Sequence, residues 1–210
     1  MRLSFPILLI LAVCMTSVGT RLSDAQAAKA HPRAPAPTKK HCQPAEGFCF
    51  SYPASWVMLG EAFGDGVVVA PQQSIDRTLW DEITVATIVP APADGDTAMT
   101  IDQVIDTAMN NMRDRGDGPQ TLQRQVRTVD GLPAQMVKLR YHDQETNRDW
   151  IEELVFVEGP AGEIYSVALK ASPASIGRIE PSFAGILRSW TLQRPEADSD
   201  GQQVGASPSH

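Results

Sequence analysis

The chain has 210 residues, of which 42% are hydrophobic, and a formal net charge of −7 at pH 7. The negative charge argues against nucleic acid or an anionic membrane as the partner of the folded part. The length is that of one ordinary domain with extensions, and the sequence has no internal repeat of the solenoid type.

Residues 1–27 have the pattern of a cleaved secretory signal. Arg2 precedes an apolar run from Phe5 to Val18 that is too short to span a bilayer, and Ala25-Gln26-Ala27 offers small residues for cleavage. We therefore predict a periplasmic or secreted protein. Contact with a membrane is expected only if the signal is retained or if Cys14 carries a lipid, although the apolar run continues past that cysteine.

Composition divides the remaining chain into three parts. Residues 28–41 are rich in Ala, Pro, Lys and His and predict a flexible linker. Residues 193–210 are rich in Ser, Asp, Gly and Gln and predict a disordered tail. Residues 42–192 remain as a single domain, which is long enough to bury a substantial core.

Two cysteines, Cys42 and Cys49, are left once the signal is removed. In an oxidising compartment a lone pair of cysteines most simply forms a disulfide. Six residues separate the two, which is not the Cys-x-x-Cys spacing of thiol-exchange catalysts. A structural disulfide is therefore predicted.

The first half of the domain reads as strands followed by one helix. We predict strands at Phe48–Pro53, at Val67–Val69 and from Trp80 to Val89. Thr100 is placed to cap a helix, with Gln103 as its capping-box partner. Apolar residues then recur at helical spacing and predict a helix that packs on a sheet and ends at Gly116–Pro119: Ile101, Val104, Ile105, Ala108, Met109 and Met112.

Four antiparallel strands are predicted to follow as a meander. They are Leu122–Val129, a strand around Val137–Tyr141, Trp150–Val157 and Ile164–Leu169. Asp130-Gly131 has the residue types of a two-residue hairpin turn. Within the third strand, Leu154–Val157 is apolar on both faces, so this strand should be central and covered on both sides.

The last segment, Pro173–Trp190, predicts two short helices. Ile176 and Ile179 fit a single helical turn, and Pro181 suits the first turn of a second helix. Taken together, the elements predict an α+β fold with a central antiparallel sheet flanked by helices on both faces.

The chain also resembles the PsbP-like superfamily, which includes exported bacterial domains of the DcrB and LpqN types. The motifs that carry the resemblance are, in chain order, Gly47-Phe48-Cys49-Phe50-Ser51-Tyr52-Pro53-Ala54-Ser55-Trp56, Val129-Asp130-Gly131-Leu132-Pro133-Ala134, Glu163-Ile164-Tyr165-Ser166-Val167 and Pro181-Ser182-Phe183-Ala184-Gly185-Ile186-Leu187-Arg188-Ser189-Trp190. The resemblance covers most of residues 42–192 and implies the same α/β/α sandwich. It implies no enzymatic activity, because most members are binding or assembly modules.

The strongest metal candidate is the segment His142-Asp143-Gln144-Glu145, with Asp149 close by. Imidazole and carboxylate groups bind divalent cations. These residues are consecutive, however, and a solvated turn needs the same residue types, so the turn is the preferred interpretation. Met99, Met109 and Met112 contain the soft sulfur that copper prefers, but the helical spacing favours a role in the core.

Motifs for other chemistry are weak. The chain has no Gly-x-Ser-x-Gly, and the glycines Gly60, Gly64 and Gly66 lack the strand-before, helix-after setting of a phosphate loop. The carboxylate pairs Asp94/Asp96 and Glu152/Glu153 lie in a loop or on opposite faces of a strand. We predict no catalytic, cofactor-binding or metal-binding residues.

The sequence thus favours an exported, non-catalytic binding or accessory module. Its partner is expected to be an envelope protein or a small ligand, and no cofactor is predicted. Two alternatives remain open at this point. One is a metal-dependent or hydrolytic envelope enzyme that uses the loop at His142. The other is an envelope lipoprotein tethered to the membrane through Cys14.

Overall fold

The computed structural model describes residues 36–62, 66–72 and 81–193. The predicted signal, its cleavage site, Cys14 and nearly all of the predicted tail lie outside these ranges and stay predictions. In the described part of the chain, neither helix has the length and apolar character needed to cross a membrane.

The described residues form ten strands and two helices. Their bounds are, in chain order, β1 Thr38–Gln43, β2 Phe48–Pro53, β3 Trp56–Ala62, β4 Gly66–Pro71, β5 Glu82–Val89, α1 Ile101–Asp114, β6 Gln120–Val129, β7 Leu132–Asp143, β8 Arg148–Glu158, β9 Ile164–Ala171, α2 Ile176–Ser189 and β10 Thr191–Leu192.

The strands form two antiparallel sheets, so the chain has a mostly β, α+β fold. The larger sheet has the order β3-β4-β5-β9-β8-β7-β6, and the smaller one has the order β1-β2-β10. The predicted meander of four strands is confirmed as β6 to β9. As expected from its two apolar faces, β8 lies inside the sheet between β7 and β9, and its Leu154–Val157 segment is buried.

Two apolar clusters contact alternate residues of β8. Leu154 and Phe156 belong to a cluster with the buried side chains of α1, and we call their side of the sheet the α1 face. Val155 and Val157 belong to a second cluster, which contains the buried side chains of α2 and the aromatic residues of β2. We call that side the α2 face.

Local signals predicted from the sequence are confirmed at two positions. The Thr100 backbone N–H donates to Gln103 Oε1 at 2.8 Å, and the Gln103 N–H donates to Thr100 Oγ1 at 3.2 Å, which completes the capping box. Asp130 and Gly131 both have positive φ angles, of 51° and 77°, as a two-residue hairpin turn requires.

The structure corrects one prediction at the start of the domain and adds two strands that were not predicted. β1 begins at Thr38, inside the segment 28–41 predicted to be a linker, because Thr38 to His41 pair with β2, which supplies the backbone hydrogen bonds that composition does not reveal. β3, which begins at Trp56, was not predicted. β10 was not predicted, since two residues are too few to show a period.

The predicted pair of short helices is a single helix. α2 runs without interruption from Ile176 to Ser189, and Pro181 lies inside it. A proline in a helix loses one backbone hydrogen bond. The apolar packing of Ile179, Phe183 and Ile186 on the sheet offsets this loss and keeps both halves on one axis.

Candidate functional site

A solvent-open groove of about 430 Å³ lies on the α2 face, between α2 and the β6–β8 part of the sheet. Its volume is within the range of small-molecule sites. The residues that line it come from three separate parts of the chain: Arg127, Thr128, Val129, Asp130, Glu153, Glu180, Phe183, Ala184, Leu187 and Arg188. We refer to it below as the α2 groove.

The groove combines apolar and charged side chains. Val129 and Phe183 are buried and Leu187 is half-buried, and together they provide an apolar floor. Arg127, from β6, and Arg188, from α2, add two positively charged side chains to the lining. Ligand sites in proteins commonly pair an apolar lining with a few polar groups that fix the orientation of the ligand.

The acidic residues of the groove are already engaged. Lys138, from β7, contacts Glu180 of α2 and lies 3.7 Å from Glu153 Oε2. Burial raises the pKa of Glu153, and the neighbouring ammonium group of Lys138 limits that rise. Asp130 Oδ2 accepts a hydrogen bond of 3.1 Å from the backbone N–H of Leu192.

The two arginines form no close ion pair among the described residues, although the charge of Arg127 also acts on Glu153 and limits the rise of its pKa. Neither Arg127 nor Arg188 forms an ion pair with any carboxylate in the described parts of the chain. The α2 groove therefore offers two guanidinium groups to a ligand, while its carboxylates are occupied by Lys138 and by the backbone. This balance favours an anionic ligand.

Both ends of α2 are fixed by hydrogen bonds, which holds the groove in shape. Near its N-terminal end, Asp81 Oδ1 accepts from the backbone N–H of Ser172 at 3.0 Å and from the Ser175 hydroxyl. At its C-terminal end, Ser189 Oγ accepts from the backbone N–H of Ser51 in β2 at 2.8 Å. One wall of the α2 groove is thus anchored to β2 and to the segment before β5.

The loop proposed as a metal site lies at the surface, away from the α2 groove. His142 Nδ1 is 3.0 Å from Asp149 Oδ1, and its Nε2 is 3.3 Å from Asn147 Oδ1. Asp143 Oδ1 instead accepts hydrogen bonds from the backbone N–H groups of Glu145 and Thr146, which is the role of a turn residue. Among the described residues, no group of three or more His, Cys, Asp or Glu side chains is arranged to hold a metal ion.

Replacing Asp149 with asparagine is expected to lower the pKa of His142 towards its ordinary value. The main cause of the raised pKa of His142 is its hydrogen bond to the carboxylate of Asp149, which accepts the bond. Because the folded-state pKa is the higher one, the stability that protonated His142 contributes is present at low pH and is lost as the pH rises through that value. An NMR titration of the His142 imidazole in the wild type and in Asp149→Asn measures the difference in pKa. Identical pKa values in the two proteins would contradict the role given to Asp149.

With the geometry described, the chain can be compared with known proteins. No family model and no curated protein matches it. Solved structures do: CyanoP from Synechocystis sp. PCC 6803 has 14% identity and a TM-score of 0.50, over 79% of this chain and 98% of CyanoP. LpqN, involved in cell envelope biogenesis of Mycobacterium tuberculosis, has 15% identity and a TM-score of 0.51, over 75% of this chain and 86% of LpqN.

This chain has a PsbP-like fold. The resemblance predicted from its sequence motifs is therefore confirmed at the level of the fold. The Ran-binding protein Mog1p of Saccharomyces cerevisiae also matches, with 7% identity and a TM-score of 0.48, over 75% of this chain and 96% of Mog1p.

The structure also shows where the methionines and the glutamate pair considered above lie in the PsbP-like domain. Met109 and Met112 are buried in the α1 cluster, as the helical spacing predicted, whereas Met99 is 45% exposed before α1. Glu152 and Glu153 lie on opposite faces of β8, as expected. Burial also raises the pKa of Glu152 on the α1 face, where its cross-strand partner in β9 is Lys170.

The remaining candidates do not converge on the α2 groove. Gly60 lies in β3 and Gly66 in β4, and Gly64 is outside the described residues. Asp94 and Asp96 are exposed in the loop before α1. None of the candidates named in this paragraph lines the α2 groove.

Cys42 and Cys49 form a disulfide with an S–S distance of 2.07 Å. They are directly opposite each other in the ladder between β1 and β2. The bond closes the hairpin at the start of the PsbP-like domain, which fits a structural role.

The residues of the α2 groove were not predicted from the sequence to form a site together. Arg127, Glu153 and Glu180 lie far apart in the chain and come together only when α2 packs on the sheet. One signal was available: Arg188 falls within the Phe183–Trp190 motif, in which every third or fourth residue is needed for the core. A charged residue next to such an apolar stripe lies at the edge of the surface that the helix buries.

Proposed function

We propose that this protein is an exported, non-catalytic binding module that holds an anionic, partly apolar ligand in the α2 groove. The observation that carries the proposal is the pair of arginines, Arg127 and Arg188, above an apolar floor. Neither forms a close ion pair with a carboxylate of the described residues, although the charge of Arg127 acts on Glu153. A buried or half-buried carboxylate or phosphate on the ligand would form charge-assisted hydrogen bonds with the two arginines.

Two further features support a binding module in an exported setting. The disulfide between Cys42 and Cys49 is typical of proteins that leave the cytoplasm. Because hydrogen bonds hold α2 at both ends, binding would require little ordering of the groove, which favours affinity. The architecture that we propose for the whole domain is the three-layer sandwich with one helix on each face of the large sheet.

The fluorescent anion anilinonaphthalene sulfonate provides a test, because it joins an apolar ring system to a sulfonate. Replacing both Arg127 and Arg188 with serine is expected to weaken its binding about tenfold, the loss of roughly one charge-assisted hydrogen bond. Arg178→Ser is the matched control, since Arg178 is an exposed arginine of the same helix that does not line the groove.

Fluorescence titration of the three folded proteins measures this effect. Equal affinity of the double variant and the wild type would remove the α2 groove as the site. His142→Ala is expected to leave the affinity unchanged, and a loss of binding in that variant would favour the loop at His142 instead.

A further inference from the structure

We infer that the outer edge of β6 binds an extended polypeptide segment in which acidic and apolar residues alternate. The inference rests on the proposed function and deepens it, because it names the class of ligand that reaches the α2 groove. A strand added to a sheet edge gains main-chain hydrogen bonds, and side-chain sites on the two faces provide its specificity.

The edge of β6 is long and open. β6 is the last strand of the large sheet, and no strand in the described parts of the chain pairs with its outer side. Its ten residues include no proline and no acidic residue. Sheet edges are usually protected by charged side chains, by proline, by bulges or by short length. Of these, β6 has two arginines and one bulge. A bulge interrupts β6 only between Thr121 and Gln123, so the ladder is regular from Gln123 to Val129.

The two faces of β6 differ in chemistry at neighbouring positions. Arg127 is opposite Ala134, whose side chain belongs to the α2 cluster, so Arg127 lies on the α2 face beside the groove. Val126 is opposite Gln135 and lies on the α1 face, where it is 80% exposed. An added strand would place alternate side chains beside Arg127 and beside Val126.

Charge complementarity identifies the type of side chain on each face. Arg124, on the α1 face, already contacts Asp102 of α1 and donates to Gln135 Oε1 at 3.0 Å. Arg127 forms no close ion pair with a carboxylate of the described residues, although its charge acts on Glu153, so an acidic residue of the added strand would give it a direct partner. An apolar or β-branched residue on the other face would cover Val126.

The same charges disfavour a second copy of this chain as the occupant. Two antiparallel β6 strands would bring two unpaired Arg127 groups into one short ladder, and neither strand carries an acid to balance them. Like charges close together across a strand pair are destabilising. The occupant is therefore a different strand that carries the acidic residues.

The probe is a labelled synthetic peptide of about nine residues with alternating Glu and Val, tested against the full chain by fluorescence anisotropy. Two further peptides carry N-methyl groups at alternate residues, one at the odd positions and one at the even positions. An added strand directs only one row of its N–H groups at β6. We expect one methylated peptide to bind about as well as the parent and the other to bind at least about tenfold more weakly.

Arg127→Glu is expected to weaken binding of the unmodified peptide by about tenfold or more, because it places like charges together. Arg178→Glu makes the same change of charge outside the groove and is expected to leave the affinity unchanged. Replacing every Glu of the peptide with Lys should abolish binding to the wild type and restore binding to Arg127→Glu.

The outcomes separate this inference from the proposed function. Equal binding of the two methylated peptides, together with loss of binding in Arg127→Glu, would overturn the pairing at the edge and leave the α2 groove as the site. Peptide binding that appears only in a chain ending at Gln193 would show that the chain's own acidic tail fills the edge. Sedimentation of the full chain as a dimer that Val126→Lys dissociates would assign the edge to a second copy. Either of the last two results overturns the inference.

Discussion

Replacing Trp190 with alanine is expected to lower the free energy of unfolding by about 4 kcal/mol. Trp190 is 1% exposed and is the largest side chain among the fully buried residues that the structure describes. Its ring lies 5.4 Å from the ring of Tyr165, between the end of α2 and the start of β10. Removing the indole would leave a cavity where the helix, the small sheet and β9 meet. Urea denaturation followed by circular dichroism measures the loss.

Two further variants make this prediction specific. Val126→Ala changes a residue that is 80% exposed and is expected to alter stability by less than about 0.5 kcal/mol. Trp190→Phe keeps an aromatic ring and removes the indole N–H, which is buried without a hydrogen-bond partner among the described residues. Its cost should be roughly half that of the alanine variant or less, because a buried unpaired donor is itself unfavourable. A Trp190→Ala protein as stable as the wild type would contradict the position assigned to this residue.

Removing the disulfide is expected to lower the free energy of unfolding by about 2.5 kcal/mol in the chain-entropy model. The bond joins residues seven apart, so it closes a short loop and restricts the unfolded chain by a modest amount. The comparison is between wild type and the variant with both Cys42 and Cys49 changed to alanine, again by urea denaturation.

The wild type in reducing buffer is the control for this change, because it breaks the bond while keeping the side chains. It should match the double variant to within about 0.5 kcal/mol. If the oxidised and reduced wild-type proteins unfold at the same denaturant concentration, then the disulfide contributes nothing to stability and the β1–β2 ladder alone holds the hairpin. Retained binding of the fluorescent anion in the double variant would show that the α2 groove does not depend on this bond.

The groove and the β6 edge meet at one residue, Arg127. It lines the α2 groove, and it also lies on the strand whose outer side has no described partner. A ligand that uses both would gain main-chain pairing along β6 and a charge-assisted contact on the α2 face.

Local elements could be predicted from the sequence where their signals lie within a few residues of one another. The capping box at Thr100 and the turn at Asp130-Gly131 each depend on neighbouring side chains and backbone angles, so both were readable in advance. The burial of β8 followed from an apolar run on both faces. The pairing of Cys42 with Cys49 followed because these are the two cysteines that lie outside the predicted signal.

Features that depend on partners far away in the chain could not be predicted, because they form only when whole elements pack together. β1 forms because Thr38–Gln43 has β2 beside it, and α2 stays continuous through Pro181 because its apolar side has a sheet to cover. The α2 groove joins Arg127 to Arg188 for the same reason. Local periodicity reports which face of an element is buried, but the packing of whole elements decides which charged residues meet at the rim and which of them keep no partner.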